Sequence, residues 1–180
     1  SLHDALPISY MGYGKFGRKL LATHALMTVI QLFLYLLLFS IFPKNKIYQW
    51  AMGLFFIFLF WVVIYADASY YGQNDLKRGT FRKTKGFLSG LIASIPGILL
   101  YVGSLIYQPI EIALRCWLIP YVKLFVTFEN VMPYIAIVFI LMFPVVSGVS
   151  YLDGIRRRKK ILESIQKKNA MRGELSKRDS

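Results

Sequence analysis

Four long apolar runs separated by clusters of Lys and Arg constrain this chain more than any other feature. The runs are Leu20–Phe42, Ile47–Ala66, Phe87–Tyr107 and Tyr134–Leu152, each 19 to 23 residues long. At about 1.5 Å of rise per residue, each is long enough to cross a hydrocarbon core of about 30 Å. Backbone in lipid must satisfy its own hydrogen bonds, so only helices or a closed barrel can cross. The runs are continuous rather than alternating, which excludes a barrel. The expected fold class is all-α: a polytopic membrane protein of four transmembrane helices. The chain is 56% hydrophobic with a mean hydropathy of +0.50. A soluble domain of 180 residues would need far more polar surface, whereas in lipid apolar side chains can face outward.

Charge sets the expected orientation. Lys15, Arg18 and Lys19 precede the first run, and Lys77, Arg78, Arg82, Lys83 and Lys85 lie between the second and third. Ten more follow the fourth, beginning with Arg156, Arg157, Arg158, Lys159 and Lys160; the opposite side has only Lys44, Lys46, Arg115 and Lys123. This asymmetry of 18 against 4 puts both termini and the central loop in the cytoplasm by the positive-inside rule. A net charge of +13 in a soluble protein would point to nucleic acid. Here the charges flank apolar runs, and no nucleic-acid partner is expected. The expected division is a cytoplasmic segment 1–19, a four-helix transmembrane domain 20–153 and a basic cytoplasmic tail 154–180. Within 1–19, Ser1–Ser9 (SLHDALPIS) resembles a translated sequencing adapter. The expected biological start is Met11 or lies upstream, and no secretory signal is read before the first run.

Pro43-Lys44-Asn45-Lys46 reads as a tight outer turn, and Gly72–Gly86 as a cytoplasmic loop. Tyr48 and Trp50 open the second span and Tyr65, Tyr70 and Tyr71 close it, as an interfacial aromatic belt would. The stretch Gln108–Pro133 holds two shorter apolar pieces broken by Pro120, with Glu111, Arg115, Lys123 and Glu129 among them. A fifth full span would carry the basic tail to the other side, against the charge rule. The expected arrangement is a helix in the outer interface, with Trp117 and Tyr121 at headgroup level and Glu111 paired to Arg115 one turn on. A shallow re-entrant hairpin bent at Pro120 is the alternative, allowed where protein buries it. In the tail, Gly154 is expected to loosen the exit from the fourth span. Ile155–Asn169 reads as a basic helix with Ile155, Ile161, Leu162 and Ile165 on its apolar side, and Ala170–Ser180 as disordered.

Two polar or small-residue stripes mark candidate sites. Gly86, Gly90, Ser94, Gly97, Tyr101, Ser104 and Gln108 recur at spacings of four or three, hence on one face of the third span. Small residues there let another helix approach closely. The stripe reads as an internal packing seam, with a dimer seam or a polar path as the alternative. His24, Thr28, Gln31 and Tyr35 form a second one-face stripe in the first span. Polar groups inside a membrane face protein or water. These are expected to hydrogen-bond to the seam of span three or, alternatively, to line a path for a polar solute or protons. His24, Asp67 and Asp153 all fall near cytoplasmic ends of spans and would form a cation or proton site if the bundle gathered them. Asp153 facing five basic residues, and Asp67 near Lys77 and Arg78, can simply pair instead. Arg156, Arg157, Arg158, Lys159 and Lys160 are expected to meet anionic lipid headgroups, worth about 1 kcal/mol each near the surface.

Other features carry less. Gly12-Tyr13-Gly14-Lys15-Phe16-Gly17 matches GxGxxG, but no strand precedes it and no βαβ unit follows, which removes the dinucleotide reading. No HExxH, GxSxG or Walker A sequence occurs. Cys116 is the sole cysteine, so no intrachain disulfide or cysteine metal cluster can form; it reads as a small packing residue.

The stretch Gly72–Pro96, GQNDLKRGTFRKTKGFLSGLIASIP, resembles a pattern recurring in uncharacterised small four-span membrane proteins of Gram-positive bacteria. Gly72, Asp75, Lys85, Gly86, Gly90 and Pro96 carry the likeness. The resemblance implies a multi-pass protein of the bacterial cytoplasmic membrane and implies no activity. The expected role is a non-catalytic subunit or accessory protein of a transport or envelope system. It needs no cofactor, and its partners are the lipid bilayer, a membrane protein or a second copy of itself. The alternatives are an autonomous small transporter or channel using the His24–Tyr35 stripe, and a metal-dependent membrane enzyme using His24, Asp67 and Asp153.

Overall fold

A computed structural model describes residues 12–41 and 44–178, with side chains described to residue 171. Among the described residues six helices follow one another: α1 (Tyr13–Ile41), α2 (Lys46–Lys77), α3 (Lys85–Ile106), α4 (Ile110–Trp117), α5 (Val122–Thr127) and α6 (Met132–Arg178). Single 3₁₀ turns at Ile119–Tyr121 and Glu129–Val131 flank α5. No strand occurs among the described residues. α1, α2, α3 and the stretch Glu129–Met171 are long and apolar enough to cross a membrane. The fold is thus an all-α polytopic one, and the chain is a multi-pass membrane protein. Its outward faces agree: Phe33, Phe58 and Leu99 are each about two-thirds exposed, a placement that costs free energy in water and none in lipid. The expectations for Ser1–Ser9 and Pro43 fall outside the described residues.

α1 and α3 run one way, α2 and α6 the other. One end of the bundle holds the α1–α2 turn, here the turn end. The other, the tail end, holds the α2–α3 loop and the last part of α6. At the turn end the Asn45 side chain accepts from the Tyr48 amide at 3.1 Å and caps α2, the ordinary N-cap device. At the tail end α2 continues past Ala66 to Lys77, so the expected loop Gly72–Gly86 shrinks to residues 78–84. Gly79, at φ +68°, stops the helix. Its amide bonds the Leu76 carbonyl and that of Thr80 bonds the Asp75 carbonyl, the paired closure of a left-handed C-terminal glycine cap.

α6 passes unbroken through Gly154 and on to Arg178, which corrects two expectations. Residues 170–178 are helical rather than disordered; the tail is rich in Lys, Arg, Glu, Leu and Ile, which favour helix. Gly154 does not loosen an exit but lets two backbones touch. A Cβ there would collide with the Ser69 carbonyl of α2, and one on Gly72 would collide with the Tyr151 carbonyl of α6. Gly86 and Gly90 of α3 lie as closely against Tyr151, Ser147 and Pro144. Residues 144–154 of α6 are therefore clasped between α2 and α3 by four glycines, the small-residue packing that lipid-embedded helices favour.

The stretch between α3 and α6 settles as the re-entrant of the two expected arrangements. α4 descends antiparallel to α3, with Ile110 against Gly103 and Trp117 against Gly97. The chain turns at Ile119–Tyr121, and α5 returns along α2, with Lys123 against Gly53 and Phe128 near Trp50. Leu114, Leu118, Ile119, Tyr121 and Phe125 are buried. Ile112, Cys116 and Val126 keep one face of α4 and α5 exposed, but the turn at residues 118–121 is buried, a depth that a helix lying along the interface would not reach. Glycines on α2 and α3 make room for this tip between the spanning helices.

Candidate functional site

The hairpin tip meets the polar stripe of α1 near mid-bundle. α4 ends at Trp117, and the Tyr121 amide, which would continue the ladder onto the Trp117 carbonyl, bonds the Leu118 carbonyl at 2.9 Å instead. The Trp117 carbonyl oxygen, released by that break, lies 3.2 Å from His24 Nε2 and 3.4 Å from Thr28 Oγ1. A carbonyl only accepts, so His24 Nε2 carries the proton and donates. The His24 ring stacks on the Trp117 indole, with centroids 4.4 Å apart and planes 16° from parallel. It meets Phe60 edge-on at 5.0 Å. Backbone that leaves the helix at membrane depth must be satisfied by protein or water, and here α1 does so.

Gln31, also on the stripe, donates from Nε2 to the Phe56 carbonyl of α2 at 3.0 Å. Tyr35 stacks on Phe39 of its own helix at 4.1 Å. The expectation that this stripe bonds to the span-three seam is therefore corrected: among the described residues His24 and Thr28 bond the hairpin and Gln31 bonds α2, because the hairpin tip lies between α1 and the seam at this depth. Beside His24, a void of about 10 Å³ is lined by Phe60, Ser94, Gly97, Trp117, Tyr121 and Phe143 among others, room for one water at most. The Tyr121 hydroxyl and Gln31 Oε1 are buried and find no partner among the described residues.

No protein-family model, curated protein or solved structure matches this chain.

The third-span stripe divides by depth. Gly86 and Gly90 seat α6, and Gly97 seats Trp117. Ser94 Oγ lies 3.0 Å from the Gly90 carbonyl and 3.4 Å from that of Ile140 on α6. These four residues form an internal seam. Ser104 is not part of it; its hydroxyl turns back to the Tyr101 carbonyl at 2.7 Å. Gln108 is exposed beyond the end of α3.

His24, Asp67 and Asp153 do not come together. Asp67 accepts from Thr23 at 2.8 Å. Asp153 accepts from Tyr65 and pairs with Arg157 at 2.7 Å. His24 points to the hairpin. Among the described residues, no three His, Cys, Asp or Glu side chains are grouped to hold a metal ion. Of the basic run, Arg156, Arg157, Lys159 and Lys160 are exposed and Arg158 is half-buried. The expected Glu111–Arg115 pair forms at 2.6 Å, with Glu129 3.6 Å away. Cys116 is exposed rather than packed, and Tyr121 is buried rather than at headgroup level.

A buried ion pair that no spacing in the sequence announces joins α2 to α3. Lys85 Nζ lies 2.6 Å from Asp75 Oδ2, with side chains 1% and 8% exposed. Tyr151 of α6 donates to the same carboxylate oxygen at 2.7 Å, and Thr80 to the other at 3.2 Å. The glycine cap at Gly79 folds the chain back and brings Lys85 to Asp75. Asp75 and Lys85 both belong to the pattern behind the bacterial resemblance, which was the one available signal.

Proposed function

We propose that this protein is a non-catalytic subunit or accessory protein of a transport or envelope system. We place it in the cytoplasmic membrane of a Gram-positive bacterium, with both termini cytoplasmic. One observation carries the reading. α6 leaves the bundle and runs past Leu152 to Arg178, about 39 Å of helix at 1.5 Å per residue. On it, Ile161, Leu162 and Ile165 are exposed amid basic residues. Apolar side chains at this spacing share a helix side, and a projecting helix bearing such a side is a form in which helices dock on partners. The clustering of basic residues supports the orientation, and the Gly72–Pro96 pattern supports the bacterial assignment.

The experiment is mild-detergent purification of the tagged full chain from native membranes, with mass spectrometry of what accompanies it. The expected outcome is a stoichiometric membrane or cytoplasmic partner, lost from the double variant Ile161→Glu/Ile165→Glu while the bundle stays folded. A clean monomer or homo-oligomer from both chains would overturn the reading.

A second reading, an autonomous small transporter, draws on the re-entrant hairpin and on Gln31 Oε1 and the Tyr121 hydroxyl, which are buried without a partner among the described residues. Broken helices at mid-membrane are a common setting for substrate sites. Gln31→Leu should then abolish flux in reconstituted vesicles; unchanged flux would sink it.

A further inference from the structure

An open groove runs between α2 and α6 on the outward side of the bundle. Its walls are Phe58, Trp61, Val62 and Tyr65 on α2 and Met142 and Val146 on α6, around a volume of about 290 Å³. Phe58, Val62 and Met142 are exposed, so in the membrane the groove opens to lipid. Apolar surface is everywhere on this bundle. What singles out this groove is how it ends.

Tyr65 closes the groove toward the tail end. Its hydroxyl donates to Asp153 and accepts from Arg157 Nη2 at 2.7 Å. The Arg157 guanidinium lies over the Tyr65 ring, 5.6 Å from the centroid, and its Nε donates to Asp153 at 2.7 Å. Met142, Val146, Asp153, Arg157 and Lys160 follow one another at helical spacings along one face of α6. The apolar groove thus leads into two cations on the face that lines it. Arg157 stays 60% exposed. A guanidinium has five N–H donors, and Asp153 and Tyr65 take one each, so its fork still presents donors outward.

We propose that this groove holds one anionic phospholipid, with an acyl chain along Phe58, Val62 and Met142 and the phosphate at Arg157 and Lys160. Asp153 and Tyr65 hold the guanidinium in place, and a fixed fork suits phosphate oxygens. The site differs from diffuse attraction of the tail to an anionic leaflet, because it is one-to-one and needs the groove. It goes beyond the accessory-protein reading and does not rest on it, since Ile161 and Ile165 take no part.

The test is native mass spectrometry of the full chain released from mild detergent with equal phosphatidylglycerol and phosphatidylcholine. One retained phosphatidylglycerol per chain is expected, in preference to phosphatidylcholine. Removing cations in Arg157→Gln and Lys160→Gln should weaken retention about fivefold per charge. Val62→Trp fills the groove and leaves every tail cation in place; it should weaken retention as well. Three results would overturn the proposal: undiminished retention by Val62→Trp, equal retention of both lipids, or disulfide crosslinking of Met142→Cys to a second copy in native membranes. The crosslink would make the groove a contact between chains.

Discussion

At the tail end, α6 meets α2 backbone to backbone at Gly72 and Gly154, and lies as close to α3 at Gly86 and Gly90, where Ser147 and Tyr151 side-chain atoms join the backbone contact. At the turn end the same helices take α4 and α5 between them, and contact passes through side chains such as Trp117, Tyr121 and Phe125. The difference concerns tolerance. Where a carbonyl lies against a glycine Cα, the added methyl of alanine must push two helices apart. Where aromatic side chains fill the space, a substitution meets groups that can rotate or shift. The tail end also carries a buried ion pair, which fixes the α2–α3 loop and leaves an uncompensated charge if either partner is removed.

This contrast orders the effects of substitution, each read as a shift in unfolding midpoint in detergent. Lys85→Met leaves Asp75 buried and charged and should cost about 3–5 kcal/mol. Joining it to Asp75→Leu should recover much of that loss, since both charges are then gone. Gly154→Ala should cost about 1–3 kcal/mol, the usual range for overpacking, despite adding a single carbon. His24→Phe keeps the stack on Trp117 and loses the hydrogen bond to its carbonyl, for about 1 kcal/mol. Arg115→Gln breaks a half-exposed pair at the turn end and should move the midpoint by about 0.5 kcal/mol or less. If His24→Phe proved costlier than Gly154→Ala, the contrast between the two ends would be reversed.

The four spanning helices were legible because crossing lipid demands length and continuity, and both are written in the apolar runs. The re-entrant hairpin was legible only as an alternative. Pro120 with Glu111, Arg115, Lys123 and Glu129 suits an interfacial helix equally well, and the choice depends on whether neighbouring helices leave room. Gly53 and Gly97 make that room, but their partners are distant in sequence. The His24–Gln31 stripe was legible as buried and polar, and not its partners, for the same reason. Lys85 read as one more loop cation among five, since burial of a lysine is decided by a carboxylate on another element. Gly154 read as flexible because a glycine that permits close contact and one that permits bending look alike in sequence.

The hairpin is most directly tested by cysteine labelling. In a Cys116→Ala background, single cysteines at Lys46, Glu111, Glu129 and Lys83 would be exposed to a membrane-impermeant maleimide from one side of sealed vesicles. Re-entry predicts that positions 46, 111 and 129 label together from one side and 83 from the other. Labelling of position 129 with position 83 would mean that the chain crosses the membrane between Glu111 and Glu129, and would contradict the hairpin.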